Sequence, residues 1–185
     1  MVNRLEAEFD VYAGREQIGG ACAIWLREHT HLLTAFHISH DKKHDPRAII
    51  LRSRHGNITL RNISFRKVPS SDDLSLSEQI NLTDALPVAS MFVEDDQYTM
   101  LSAAMSISPE HTSTIRSSTS VPISMRKAPK HIHLSSTAQQ IDFGFSGKPI
   151  LNQQGEVTAV IIGRLGLRED THQGSAETLR QRIFQ

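Results

Sequence analysis

Three short stretches of this 185-residue chain carry side chains able to move a proton or attack a carbonyl carbon. In FGFSGKP, residues 143–149, Ser146 stands between Gly144 and Gly147. In LLTAFHIS, residues 32–39, His37 follows a run of apolar and small residues, and in SSDDLSLSE, residues 70–78, Asp72 and Asp73 precede alternating leucines. A serine hydroxyl is a poor nucleophile at neutral pH and becomes effective when a neutral imidazole takes its proton. A carboxylate on the other ring nitrogen then holds the correct tautomer and stabilises the imidazolium. Ser146, His37 and one of the two aspartates supply these three groups. Taken singly, each has a plainer reading: a turn serine, a core or surface histidine, an Asp-Asp turn before a strand.

Other chemistries have weaker support. Cys22 lies inside the apolar run IGGACAIWL, which predicts a small buried residue in place of a nucleophile. HISHDKKHD would place His37, His40 and His44 on one face of a short helix, which raises a metal hydrolase as a reading. Zinc needs three or four convergent ligands, and no further partner is evident, so a solvated loop is expected and no metal. The cluster Arg126, Lys127, Lys130, His131 and His133 is short and reads as an exposed loop. With Lys plus Arg balancing Asp plus Glu at 20 each, there is no global field for nucleic acid. One cysteine forbids an intrachain disulfide and permits a reducing compartment. No apolar run reaches membrane-span length and no signal peptide is visible, so an intracellular, cytoplasmic protein is expected, as a whole chain or as a piece of a larger precursor.

The elements that must position these residues read as short strands. Candidates are 18–26, 31–36, a hairpin on either side of His55-Gly56-Asn57, then 98–107, 120–126 and 156–163. Residues 106–138, rich in Ser and Thr, read as long loops around one or two strands. Only 174–184 reads as a helix, with Ser175 as N-cap and Leu179, Ile183 and Phe184 as an apolar stripe. Trp25 and Phe36 are expected in the core. Such a pattern implies an all-β barrel or sandwich.

The order His, Asp, Ser is the one used by chymotrypsin-type barrels. GGACAIWLREHTHLLTAFHI resembles the trypsin-family strand–turn–strand ending in Thr-Ala-Ala-His, with Phe36 in place of the second Ala. DDLSL resembles the segment that supplies the family's aspartate, which favours Asp73 over Asp72. GFSGKPILNQQGEVTAVIIG resembles the Gly-Asp-Ser-Gly-Gly-Pro segment, its hairpin and the strand lining the substrate cleft. The resemblance implies two six-stranded antiparallel Greek-key barrels with a short C-terminal helix. Residues 1–85 would form the first, with His37 and Asp73, and 86–185 the second, with Ser146. It implies a serine endopeptidase without cofactor, acting through an acyl-enzyme, with Gly144 and Ser146 N–H groups facing the oxyanion. Glycine suits position 144 because that peptide must turn its N–H toward substrate.

Departures from the pattern carry information of their own. Phe145 replaces the aspartate that receives a new N-terminus on zymogen activation, so that switch is not expected. Lys148 replaces the second glycine, and Ile38 stands where relatives have a cysteine. The chain is therefore most similar in style to small viral or HtrA-type proteases, which implies polyprotein processing or a regulatory role. The resemblance places Gln140 near the specificity-pocket floor, Ile141, Asp142 and Phe143 on one wall, and Val160, Ile161, Ile162 and Gly163 on the other. Polypeptide would add as a strand along that second wall. Lacking an acid on the floor and a histidine in VIIG, the pocket is expected to take a neutral, apolar side chain. A catalytically silent fold of this type, kept for peptide or protein binding, is the alternative.

Overall fold

A computed structural model describes residues 3–102, 119–136, 141, 144–164 and 173–179. The first half contains β1 (Glu8–Ala13), β2 (Glu16–Leu26), β3 (His29–Ala35), β4 (Ile49–Ser53), β5 (Thr59–Arg61), β6 (Phe65–Lys67) and β7 (Leu74–Ile80). They form one curled antiparallel sheet in the order β5-β4-β1-β2-β3-β7-β6. Two four-residue helices accompany it, α1 (Arg4–Ala7) before β1 and α2 (Phe36–Ser39) directly after β3. The second half contains β8 (Tyr98–Leu101), β9 (Ser120–Lys127), β10 (Ile132–Ser135), β11 (Pro149–Leu151), β12 (Val157–Arg164) and β13 (Gln173–Thr178). These close into a barrel in the order β10-β13-β12-β11-β8-β9. The expected all-β fold is present, with seven strands in the first sheet and six in the barrel among the described residues. Among the described residues no helix is long and apolar enough to cross a membrane.

Three apolar clusters explain why these strands form. Phe9, Val11, Ala21, Leu32 and Leu51 fill the concave side of the first sheet. Met100, Ile123, Met125, Leu134 and Ile150 fill the barrel. Between the halves, Ile24, Leu33 and Leu74 meet Leu151, Val157 and Val160. Successive strand residues point to opposite faces, so Leu32 and Leu33, both fully buried, serve two different clusters from one strand. Burying a leucine contributes about 1.5–3 kcal/mol, so β3 is anchored on both faces just before the chain reaches His37. The connection is stitched to both halves. Leu86 N–H donates to Ala23 O at 2.8 Å, and Ala89 N–H donates to Val157 O at 2.9 Å.

The hairpin at His55-Gly56-Asn57 is present as β4–β5, with Gly56 at φ +88°. Two expectations need correction. Trp25 is 53 % exposed, because it points away from the inter-half cluster that its neighbour Ile24 enters. Residues 174–178, expected to open a helix, are strand β13. β13 lies between β10 and β12 and completes the barrel by pairing on both edges, and those ladders override local helix propensity. Residues 180–184 of that expected helix, and 103–107 of the expected strand 98–107, lie outside the described residues.

Candidate active site

α2 begins where β3 ends, and its short turn lifts His37 out of the sheet. Phe36 N–H donates to Asp73 O at 2.8 Å, which docks the turn against the start of β7. The Asp73 carboxylate then takes both donors of His37: the backbone N–H on Oδ1 at 3.0 Å and ring Nδ1 on Oδ2 at 2.5 Å. A carboxylate can only accept here, so Nδ1 carries the proton and Nε2 is the free acceptor. Of the two aspartates, Asp73 is the one whose carboxylate reaches His37, and Asp72 is exposed.

Ser146 occupies the first central position of a turn closed by Lys148 N–H to Phe145 O, 3.1 Å. Gly147, the second central residue, has φ +91°, which a turn of this geometry reserves for glycine. A side chain there would also meet Gly20 O at 2.0 Å and Thr34 Oγ1 at 2.5 Å. The turn is tied to β12 by Gly147 N–H to Ile161 O, 2.7 Å, and across the halves by Gly20 N–H to Ser146 O, 2.8 Å. One point joins the two regions. A Cβ placed on Gly19 would lie 2.7 Å from Ser146 O and 2.9 Å from Ile38 Cδ1, the residue after His37. The serine turn and the histidine turn therefore approach the same glycine of β2. Ser146 Oγ and the His37 ring are not hydrogen-bonded to each other. Gly144 has φ +91°, and among the described residues neither its N–H nor that of Ser146 donates to a backbone carbonyl.

Behind the turn lies a buried cation. Lys148 Nζ sits 4.5 Å from the Phe145 ring centroid and donates to Leu101 O at 3.4 Å and Ser102 O at 3.3 Å. Burial pushes its pKa down to about 8; Arg54 pushes the same way, while Asp10 and Glu8 oppose it. Burial likewise raises the Glu8 carboxyl, against the pull of Arg4. The residue that replaces the second glycine of the serine motif is thus internal, and it braces Phe145.

The residues expected along a specificity pocket fall in different surroundings. Gln140, Asp142 and Phe143 lie outside the described residues. Ile141 is buried in the barrel core and packs against Gly174. Val160 and Ile161 are fully buried too, since β12 is paired on both edges there and covered by a core on each face. Ile162 and Gly163 are partly exposed, at a bulge where β12 outruns β11 and keeps only β13 as a partner. A cavity of about 440 Å³ opens beside β13, lined by Ile162, Asp72 and Glu177, with Lys127, Lys130 and His131 along it.

The histidines after α2 go to separate partners. His40 stacks on Phe36, with ring centroids 4.4 Å apart, and His44 Nδ1 meets Asp41 Oδ2 at 2.6 Å. Among the described residues no three His, Cys, Asp or Glu side chains form a metal-holding group. Cys22 is fully buried, and that burial raises its thiol pKa well above the ordinary value. Glu177, buried on β13, was missed by sequence reasoning; it accepts from Asp72 N–H at 2.9 Å and Asp73 N–H at 3.0 Å. A lone Glu in a stretch read as helix offers no signal that could have found it.

No protein-family model and no curated protein matches the chain. Solved structures do match. A kallikrein-related peptidase 10 in complex with Zn2+ superimposes with a TM-score of 0.70 at 14 % identity, over 98 % of this chain and 94 % of that one. An HtrA-type protease, AlgW with tripeptide, gives 0.66 at 16 % identity, over 97 % of this chain and 58 % of that one. A human pathogenic astrovirus serine protease gives 0.61 at 14 % identity, over 97 % and 92 %. The fold is chymotrypsin-like, that of trypsin-like serine proteases.

Proposed function

We propose that this chain is a serine endopeptidase. Ser146 Oγ attacks the scissile carbonyl, and His37 Nε2 takes the hydroxyl proton and returns it to the leaving amine. Asp73 holds the ring with Nδ1 protonated. The Gly144 and Ser146 N–H groups receive the oxyanion; one such donor stabilises the transition state by about 3 kcal/mol. The observation that carries the reading is the Asp73–His37 pair, together with the convergence of Ser146 O and the side chain of Ile38, the residue after His37, on Gly19 of β2. A bond between Nε2 and Oγ in such a site commonly tightens only when substrate is bound. Polypeptide adds as a strand along the β12 edge at Ile162 and Gly163, consistent with an HtrA-type neighbour described with a tripeptide. The division at about residue 85 assigns His37 and Asp73 to one half and Ser146 to the other, with the cleft between them. The chemistry uses no cofactor, and an intracellular setting suits a single buried thiol.

The absent Ser146–His37 bond favours a second reading, a silent fold that binds peptide without cleaving it. A fluorophosphonate probe separates the two. Labelling of the wild type and none of Ser146→Ala is the outcome expected of the enzyme. A folded wild type that binds peptide but is not labelled leaves only the binding module.

A further inference from the structure

β13 contributes an acid to the site without approaching His37. Glu177 is 5 % exposed and belongs to the second half, yet both its carboxylate oxygens accept from the first half: Oε1 from Asp72 N–H at 2.9 Å and Oε2 from Asp73 N–H at 3.0 Å. We propose that Glu177 is a positioning residue, holding Asp73 in line with His37 and tying that pair to the strand system that carries Ser146. The proposal rests on the serine-peptidase reading above.

The chain of contacts is continuous. Glu177 is the register partner of Val160 on β12, and the next residue of β12, Ile161, accepts the Gly147 N–H of the nucleophile turn. In the other direction Glu177 orients the peptides on which Asp73 sits, and Asp73 passes that orientation to His37 through two hydrogen bonds. Hydrogen bonds to a charged group are shorter and roughly twice as strong as neutral ones, so two parallel bonds fix the loop in position and in rotation. The neighbourhood needs such a clamp. Ser71 and Leu74 are buried on either side, whereas Asp72 is exposed and the Asp73 side chain is 22 % exposed, so the two residues that Glu177 holds are the least packed of the segment. Burial of a carboxylate is costly unless it is hydrogen-bonded, and here each of its oxygens accepts a backbone N–H from the opposite half.

The test begins with Glu177→Gln, which keeps one acceptor and turns an amide N–H₂ toward the other donor. The expected result is a fall in kcat of about ten- to a hundredfold with KM and Tm nearly unchanged. It should come with displacement of the low-field proton NMR resonance of His37 Nδ1–H. In an Asp73→Asn background the same change should have almost no further effect on kcat, because both act through one carboxylate. An unchanged kcat and resonance overturn the proposal, as does an effect that adds fully to Asp73→Asn. Should the variant fail to fold, the wild type still decides. The Asp72 and Asp73 amides are expected to exchange with solvent as slowly as strand amides, and exchange at the rate of a free loop overturns the clamp. A wild type that binds no fluorophosphonate sinks the peptidase reading, whereas the exchange and NMR measurements judge the clamp independently.

Discussion

The histidine turn and the serine turn meet at one glycine of β2 but are held by opposite means. His37 is exposed, with 47 % of its side chain accessible, and it is located by directional hydrogen bonds that its ring and its backbone donate to the Asp73 carboxylate. The Ser146 turn is located by the absence of space. Gly147 is wedged against Gly20 O and Thr34 Oγ1, and the buried Lys148 stands behind it. A side chain that must accept and release protons needs solvent and an adjustable partner. A backbone turn that presents two N–H groups needs only rigidity, which close packing supplies. Substitutions should accordingly hurt activity alone in the first region and stability in the second.

The largest effect expected is on chemistry. Asp73→Asn should leave the fold intact and lower kcat by about 10⁴-fold, through loss of the required tautomer, while Asp72→Asn stays near wild type. Steady-state kinetics on both variants measures the contrast, and equal losses would break it. Next, Gly147→Ala should lower stability by about 4 kcal/mol in denaturant melts, since it forces a Cβ within 2.0 Å of Gly20 O at a positive φ.

Lys148 gives the serine turn a pH dependence of stability. Its folded pKa, about 8, lies below the ordinary lysine value of 10.5, so on raising the pH the folded chain releases this proton before the unfolded chain does. Below pH 8 the full cost of burying the ammonium is present. Between pH 8 and 10.5 the unfolded state binds more protons and stability rises with pH. The stability of wild type relative to Lys148→Met should therefore increase by on the order of 3 kcal/mol across that window, and a flat difference would show that the lysine is not buried as charge. The smallest effect is expected from Thr34→Val. It removes the 2.7 Å bond to Gly20 O and should cost about 1–2 kcal/mol, sharpening how much of the turn's support is polar.

Residue types and order carried the site a long way. His37, Ser146 and the Asp72-Asp73 pair stood out because the chemical roles expected of them admit few residue types, while β2, β3 and β12 were readable from dense apolar runs and β9 from alternation. Legibility failed where a residue's role depends on a distant partner. The segment 174–178 has helix-compatible residues and a fair N-cap, yet it is a strand because β10 and β12 both need an edge to pair with. Val160 and Ile161, expected along the cleft, are core because a strand between two clusters buries both faces. Trp25 is outside because β2 turns Ile24, not Trp25, toward the second half.

The sequence by itself thus determined an all-β chain with an ordered His, Asp and Ser, two glycines about the serine and no means of forming an intrachain disulfide. These follow from local propensity, composition and the chemistry of single residues. Only the tertiary structure decided which aspartate faces His37, that Lys148 is internal, and that Glu177 reaches across to the opposite half. Each of those depends on a through-space contact between residues far apart in the chain, and the energy of a buried charge or a hydrogen bond is set by the partner it meets, not by its neighbours in sequence.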